Sequence, residues 1–180
     1  MKVLIFTSQF FEIGGIERLA VELAIDLNKR GVHTDLLSMY SDNLPNVKEK
    51  TNELLALGIP NIYFLGLEVH PKPIEILKGS IRLNKLVRKN KYNIVETSAL
   101  TPIVISSLGL RGTKCHQITG IHQVFIKERD NMFQHKILKW AISLNNKIRY
   151  YAISEYALEK WLTYSNVSRK HVCCIYNSIP

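Results

Sequence analysis

Two adjacent glycines, Gly14 and Gly15, stand between a predicted strand at Lys2–Ser8 and a predicted helix at Ile16–Arg30. Because glycine has no Cβ, a ligand can approach the backbone and the first free N–H groups of the helix at this point. The start of a helix carries partial positive charge and suits an anion, above all a phosphate. The pair indicates either a phosphate-binding turn or a tight turn that only reverses the chain, and the turn alone leaves both open.

A second candidate site follows the predicted strand Lys114–Thr119, in a loop that contains His122 and Lys127. Ligands of α/β proteins bind beyond the carboxyl ends of the strands, where this loop lies. A histidine there can donate a hydrogen bond to a sugar hydroxyl or to a developing charge. A lysine there can bind phosphate. The alternative is that both residues are solvent-exposed and have no ligand.

Glu96 lies at the end of the predicted strand Asn93–Thr97, where it can face the same cleft. Its carboxylate can accept hydrogen bonds from substrate hydroxyls. The alternative is an ion pair with a neighbouring lysine or arginine. The sequence does not decide between the two.

Four basic residues fall in one stripe along a predicted helix at Pro73–Lys89, namely Lys78, Arg82, Lys85 and Lys89. Like charges at this spacing repel each other and weaken the helix slightly. Such a stripe can bind an anionic membrane surface, or it can be an ordinary solvated face. It lacks the interleaved aromatic residues typical of single-strand nucleic-acid binding.

Composition limits the class of protein. A chain of 180 residues with 46% hydrophobic content can bury one sizeable core, and its net charge of +9 favours negatively charged partners. No apolar run is long enough to span a membrane. The three cysteines fit neither a disulfide framework nor a zinc site, and they suggest a reducing cytoplasm. The glycine pair lacks the third glycine of the dinucleotide fingerprint, so a nicotinamide or flavin site is not expected.

Strands and helices alternate with short connections, which predicts an α/β fold. We expect a Rossmann-like, doubly wound, mainly parallel sheet of about seven strands with helices on both faces. Ser154 is placed to cap a helix at Glu155–Tyr164. The helix at Asn131–Asn146 is expected to bury Trp140. Cys173 and Cys174 are predicted as small core-type residues.

Four segments resemble the first half of retaining GT-B glycosyltransferases, the large family with bacterial lipopolysaccharide, capsule and phosphatidylinositol mannosyl transferases. GGIERLAVELAIDLNKRG is similar to the first loop and helix of that family, and NIVETS lies where it often reads DIVHxH. TGIHQVF resembles its T-x-H loop. YYAISEYALEKWL and CCIYNSIP resemble the strand and helix before the second domain and the run that leads into it.

The resemblance implies an N-terminal acceptor-binding domain over 1–180 and a C-terminal nucleotide-sugar domain absent from this chain. The donor would be a UDP- or GDP-sugar, and no metal would be required. By position, Gly14 and Gly15 would lie against the donor phosphates or sugar, and His122 would be the catalytic residue near the reacting sugar. Glu96 and Lys127 would be substrate-binding, although Glu96 replaces a histidine common at that position.

Two functions are therefore open. The first is the N-terminal half of a transferase for a cell-envelope polysaccharide or glycolipid, inactive alone, cytoplasmic, with peripheral attachment to the membrane through the basic stripe and with no nucleic-acid partner. The alternative is a non-enzymatic Rossmann-like module that binds an anionic membrane surface or nucleic acid.

Overall fold

The structure is a computed structural model that describes residues 1–11, 14–124, 132–145 and 147–176. Within these residues, seven strands form one sheet in the order β3-β2-β1-β4-β5-β6-β7, and each pairs with its neighbours in parallel. The strands are β1 Lys2–Thr7, β2 His33–Tyr40, β3 Ile62–Leu67, β4 Ile94–Thr97, β5 His116–Ile121, β6 Ile148–Ala152 and β7 Val172–Cys174. The expected Rossmann-like fold is confirmed.

A helix follows each of the first six strands. The helices are α1 Gly15–Lys29, α2 Val47–Ala56, α3 Pro73–Asn90, α4 Leu100–Gly109, α5 Met132–Ser143 and α6 Glu155–Ser165. The predicted cap is confirmed, because the Ser154 hydroxyl accepts a hydrogen bond from the backbone N–H of Ala157 at 3.1 Å. Gly31, just beyond the end of α1, has φ +77°, a left-handed conformation that glycine adopts without strain.

The two faces of the sheet are covered unequally. Val3 and Ile5 of β1 point to the face that carries α1 and α2, whereas Leu4 and Phe6 point to the opposite face. The remaining helices, α3 to α6, pack on that opposite face. Because α1 and α2 lie over β1 to β3, no helix among the described residues covers the first face over β4 to β7. We call this area the uncovered half-face.

A cluster of buried polar side chains lies near the amino-terminal ends of β1 to β4. Asp35 of β2 has no solvent exposure and accepts hydrogen bonds from Asn61 Nδ2 at 2.9 Å and from the Tyr92 hydroxyl. Lys2 Nζ lies 3.5 Å from the same carboxylate. These contacts join β1, β2 and the segments before β3 and β4, so Asp35 has a structural role.

Two predictions about buried residues are wrong. Trp140 is 56% exposed. Two apolar rows overlap on α5, and the residues that pack in the core are Leu138, Ala141 and Ile142 rather than the row that contains the tryptophan. Cys173 is exposed as well. It pairs with Tyr151 on the uncovered half-face, and its strand is the last one of the sheet, so nothing described packs over it.

Candidate active site

Three neighbouring strands bring polar side chains together on the uncovered half-face. Glu96 is in β4, His122 directly follows β5, and Tyr151 is in β6. The register pairs Glu96 with Ile118 and Gly120 with Tyr151, so Glu96 and Tyr151 point to the same side of the sheet. All three positions lie toward the carboxyl ends of their strands, where ligands of this fold bind.

The three side chains form a continuous hydrogen-bonded chain. The Tyr151 hydroxyl donates to Glu96 Oε1 at 3.1 Å, and His122 Nε2 lies 3.1 Å from the same hydroxyl. Ser98 donates a second hydrogen bond to Glu96 Oε1 at 2.7 Å. The rings of His122 and Tyr151 meet edge to face with centroids 5.5 Å apart. His122 Nδ1 is buried and has no hydrogen-bond partner among the described residues.

A glycine makes this contact possible. A Cβ added at Gly120 would lie 2.7 Å from Tyr151 Cζ and would also collide with His122 Nε2. The tyrosine side chain therefore crosses bare backbone on its way from β6 to Glu96. A side chain at position 120 would push apart the two rings that the hydrogen bond joins.

Burial controls the charge of the site. Glu96 is 5% exposed, and burial raises the pKa of its carboxyl to about 7, although the hydrogen bonds from Ser98 and Tyr151 act in the opposite direction. Among the described residues it forms no ion pair, so the structure does not support the alternative of a lysine or arginine partner. Burial also lowers the pKa of His122, which favours the neutral imidazole at neutral pH.

The glycine pair is open at one position only. Gly14 precedes α1 with φ −87° and ψ 164°, an ordinary extended conformation, and a Cβ there would collide with the Glu17 carboxylate. A Cβ on Gly15 would meet no atom of the described residues within 4 Å. The space beside the backbone is therefore open at Gly15, and its use by a ligand stays a prediction. At Gly14, a carboxylate of the same helix already occupies the space, and an anion must displace it or bind beside it.

A cavity of about 450 Å³ lies next to the hydrogen-bonded chain of Glu96, Tyr151 and His122. Its walls are mainly apolar and come from Leu19 and Leu23 of α1 and from Ile118 of β5, while Glu96, His122 and Tyr151 line it together with Ser98. The helix that begins at Gly15 and the loop that contains His122 thus border the same cavity. An imidazole, a carboxyl group and apolar surface therefore line one site.

The remaining predicted site residues are Lys127 and the basic stripe. Lys127 falls outside the described residues. The basic stripe is on α3, which packs on the opposite face of the sheet from the hydrogen-bonded chain. Within the stripe, Arg82 donates to the backbone carbonyl of Leu65 in β3, so it is fixed to the sheet rather than free for a ligand.

The sequence reasoning missed Tyr151, Ser98 and Gly120 as members of the site. A signal for Tyr151 exists, because strand alternation from buried Tyr150 places the next residue on the other face. The sequence does not show that this face is uncovered, because that depends on where the helices pack.

The described residues contain no cluster of three potential metal ligands and no helix long and apolar enough to cross a membrane.

The fold is shared with solved structures of known class. A glycosyltransferase from Rickettsia africae superimposes with a TM-score of 0.73 at 18% identity, over 99% of this chain and 43% of that one. Anabaena HepE in complex with UDP gives 0.72 at 13% identity, over 99% and 44%. The lipopolysaccharide outer core galactosyltransferase WaaB gives 0.73 at 12% identity, over 99% and 46%. The chain spans less than half the length of these structures.

The architecture is therefore that of one half of a GT-B glycosyltransferase, and the N-terminal half fits. The family profile described as Glycosyltransferase Family 4 matches residues 13–180. The chain belongs to this family, which confirms the resemblance seen in its motifs. No significant match was found among curated proteins.

Proposed function

We propose that this chain is the N-terminal, acceptor-binding half of a retaining glycosyltransferase that takes a UDP- or GDP-sugar donor and uses no metal. Its partner would be a C-terminal nucleotide-sugar domain, without which it would not turn over. The acceptor would be a cell-envelope polysaccharide or glycolipid. The observation that carries the proposal is the Glu96–Tyr151–His122 chain beside a cavity that the helix after Gly15 also borders.

The chemistry of the site supports sugar transfer. Without a metal, the charge that develops on a departing nucleotide diphosphate needs fixed hydrogen-bond donors, and the exposed start of α1 at Gly15 supplies main-chain N–H groups. His122 is favoured as a neutral imidazole, so it can exchange hydrogen bonds with a sugar hydroxyl near the reacting carbon. Holding donor and acceptor together at one edge of the sheet provides further acceleration.

The cavity is suited to an acceptor with apolar and polar parts. Leu19, Leu23 and Ile118 offer apolar surface to a lipid portion or to the apolar face of a sugar ring. Glu96 and Ser98 offer oxygen atoms at the polar end. We therefore assign this cavity to the acceptor, and Glu96 remains a proposed substrate-binding residue.

To test this proposal, the chain is expressed together with its natural downstream sequence, which we call the joined protein. Sugar transfer is measured from UDP- and GDP-sugars to lipid-linked and polysaccharide acceptors. Retention is read from the anomeric configuration of the product by NMR. His122→Ala is expected to lower the rate by about 10²-fold or more, the usual loss when a hydrogen bond to a transition state is removed. An unchanged rate in this variant would refute the role of His122.

Gly15→Ala provides a second test of the same site. The added methyl meets no atom of the described residues, so the fold should tolerate it. If donor phosphates approach the backbone here, the methyl group should raise KM for the nucleotide-sugar. Transfer at the wild-type KM would show that the donor does not approach Gly15.

We also propose that α3 attaches the protein to an anionic membrane. Its exposed side carries Ile74, Leu77 and Ile81, each at least half exposed, next to the basic residues Lys78 and Lys85. Aliphatic side chains between lysines suit insertion among lipid headgroups, whereas single-stranded nucleic acid requires aromatic residues for stacking. Each lysine near an anionic surface contributes about 1 kcal/mol.

Vesicle flotation at low and raised salt tests this attachment, with phosphatidylglycerol-containing and purely zwitterionic lipid compared. The triple variant Lys78→Glu, Lys85→Glu and Lys89→Glu should lose binding to anionic vesicles. The matched control makes the same charge change at exposed lysines on other elements and should keep most of the binding: Lys48→Glu, Lys160→Glu and Lys170→Glu. Equal losses would mean that only net charge matters and that α3 is not the docking helix.

The transfer assay distinguishes the proposed transferase from the alternative, a non-enzymatic module that binds a membrane or nucleic acid. Membrane binding is compatible with both functions, whereas sugar transfer by the joined protein belongs only to the first. Vesicle binding through α3 with no transfer from any tested donor would favour the module.

A further inference from the structure

We propose that Tyr151 is a positioning residue that fixes His122 in the tautomer with its proton on Nε2, so that Nδ1 serves the site as a hydrogen-bond acceptor. This inference deepens the proposed function and rests on it for its kinetic test. It begins from the position of the tyrosine hydroxyl, which lies 3.1 Å from Glu96 Oε1 and 3.1 Å from His122 Nε2.

The direction of each hydrogen bond follows from the number of protons that each group can donate. A tyrosine hydroxyl has one proton to donate. Glu96 Oε1 accepts from both Ser98 and Tyr151, so this oxygen is an acceptor, and any proton bound to the carboxyl belongs on Oε2. The Tyr151 proton is therefore committed to Glu96. Toward His122, the hydroxyl oxygen can only accept, which requires the proton on Nε2.

The other ring nitrogen is then left for a ligand. In a neutral imidazole with the proton on Nε2, Nδ1 is an acceptor. His122 Nδ1 has no partner among the described residues although it is buried. An acceptor in this state suits a donor of the sugar-hydroxyl type. The reverse tautomer would turn the Tyr151 proton away from Glu96 and remove a hydrogen bond from a buried carboxyl.

The surroundings show that the arrangement is built into the fold. Gly120 leaves the space through which the tyrosine reaches Glu96, and the edge-to-face contact fixes the angle between the two rings. Removing the hydroxyl with Tyr151→Phe and blocking the space with Gly120→Ala are thus two independent ways to break the same contact. Tyr150→Phe is the matched control, since Tyr150 is the adjacent residue but faces the opposite side of the sheet.

The first test is nitrogen-15 NMR of the histidine rings in this chain. We expect the wild type and Tyr150→Phe to show His122 with a protonated Nε2 whose proton exchanges slowly with solvent. In Tyr151→Phe and Gly120→Ala, that proton should exchange at least about tenfold faster, because its acceptor is lost or displaced. A proton on Nδ1 in the wild type, or slow exchange that survives Tyr151→Phe, would overturn the inference.

The second test is a double-mutant cycle for sugar transfer in the joined protein. Tyr151→Phe should lower kcat by about tenfold with little change in acceptor KM, and it should have almost no effect when His122 is already alanine. Equal losses in both backgrounds would show that Tyr151 does not act through His122. If the wild-type joined protein transfers no sugar, the proposed function fails, while the NMR result still decides the tautomer.

Discussion

The substitution Glu96→Gln should change how the stability of this protein depends on pH. Glu96 is buried between Ile5 and Ile118 on the neighbouring strands, and burial raises the pKa of its carboxyl from the ordinary 4.5 to about 7. Between these two values, the folded state holds a proton that the unfolded state has released. The free energy of unfolding therefore falls as pH rises, and the stability present at low pH is lost as the pH passes through 7.

The magnitude follows from the two pKa values. For a carboxyl with pKa about 7 when folded and 4.5 when unfolded, proton linkage gives a loss of about 2–3 kcal/mol in the free energy of unfolding between pH 5 and pH 8. Glutamine has the same shape, keeps an oxygen that accepts from Ser98 and Tyr151, and does not titrate. Relative to wild type, the free energy of unfolding of the variant should thus rise by about 2–3 kcal/mol between pH 5 and pH 8.

Urea unfolding followed by far-UV circular dichroism at pH 5, 6, 7 and 8 measures this difference. Because every other titrating group is common to both proteins, subtracting the two curves isolates Glu96. Glu68→Gln is the control, since Glu68 is exposed, and its difference from wild type should change little with pH. The reasoning is refuted if the Glu96→Gln difference is the same at all four pH values, because a buried carboxyl with a raised pKa cannot give that result.

Two further predictions concern the fold outside the site, both measured by urea unfolding. Ser154→Ala removes the side-chain cap of α6 and should cost about 1 kcal/mol, whereas Ser154→Asp, which can still accept from the Ala157 N–H, should cost little. Asp35→Ala should cost about 3 kcal/mol or more, because it leaves the donors of half-buried Asn61 and of buried Tyr92 without their acceptor. Asp35→Ala should not alter the rate of sugar transfer per folded molecule, since Asp35 lies on the opposite face of the sheet from the Glu96–Tyr151–His122 chain.

The order of elements could be predicted because each carries a local signal. Near-continuous apolar runs such as VLIF predict buried parallel strands, and Gly31 and Ser154 mark helix ends through backbone conformation and capping. The positions of His122 and Glu96 at strand ends could be predicted for the same reason. Once the strands and their parallel order are known, the carboxyl edge of the sheet is known as well.

What the sequence could not provide depends on packing between elements. Burial of Glu96 depends on its neighbours across two strands, and the hydroxyl of Tyr151 reaches it only because Gly120 is bare. Two apolar rows overlap on α5, and nothing local decides that Leu138 rather than Trp140 turns inward. Likewise, the Glu17 side chain folds back over Gly14, so a glycine pair that looks equally open in the sequence is open at only one residue.

The same substitution at two glycines can separate a glycine required by the fold from one required by a ligand. A Cβ on Gly109 would lie 2.7 Å from the backbone oxygen of Ser80, where α4 packs on α3. A Cβ on Gly15, by contrast, meets no atom in the part of the chain that the structure describes. Gly109→Ala should lower the free energy of unfolding by about 1–2 kcal/mol, because overpacking outweighs the better helix propensity of alanine. Gly15→Ala should leave the free energy of unfolding unchanged or slightly higher.

Transfer by the joined protein should show the opposite pattern. Gly109→Ala should keep wild-type kcat/KM per folded molecule, since it lies at the α3–α4 contact on the far face of the sheet. Gly15→Ala should lower kcat/KM for the nucleotide-sugar, because the methyl group fills space that the structure leaves to a ligand. If both variants lose transfer in proportion to their stability, then Gly15 acts only through the fold, and the anion-binding role of the α1 start is wrong.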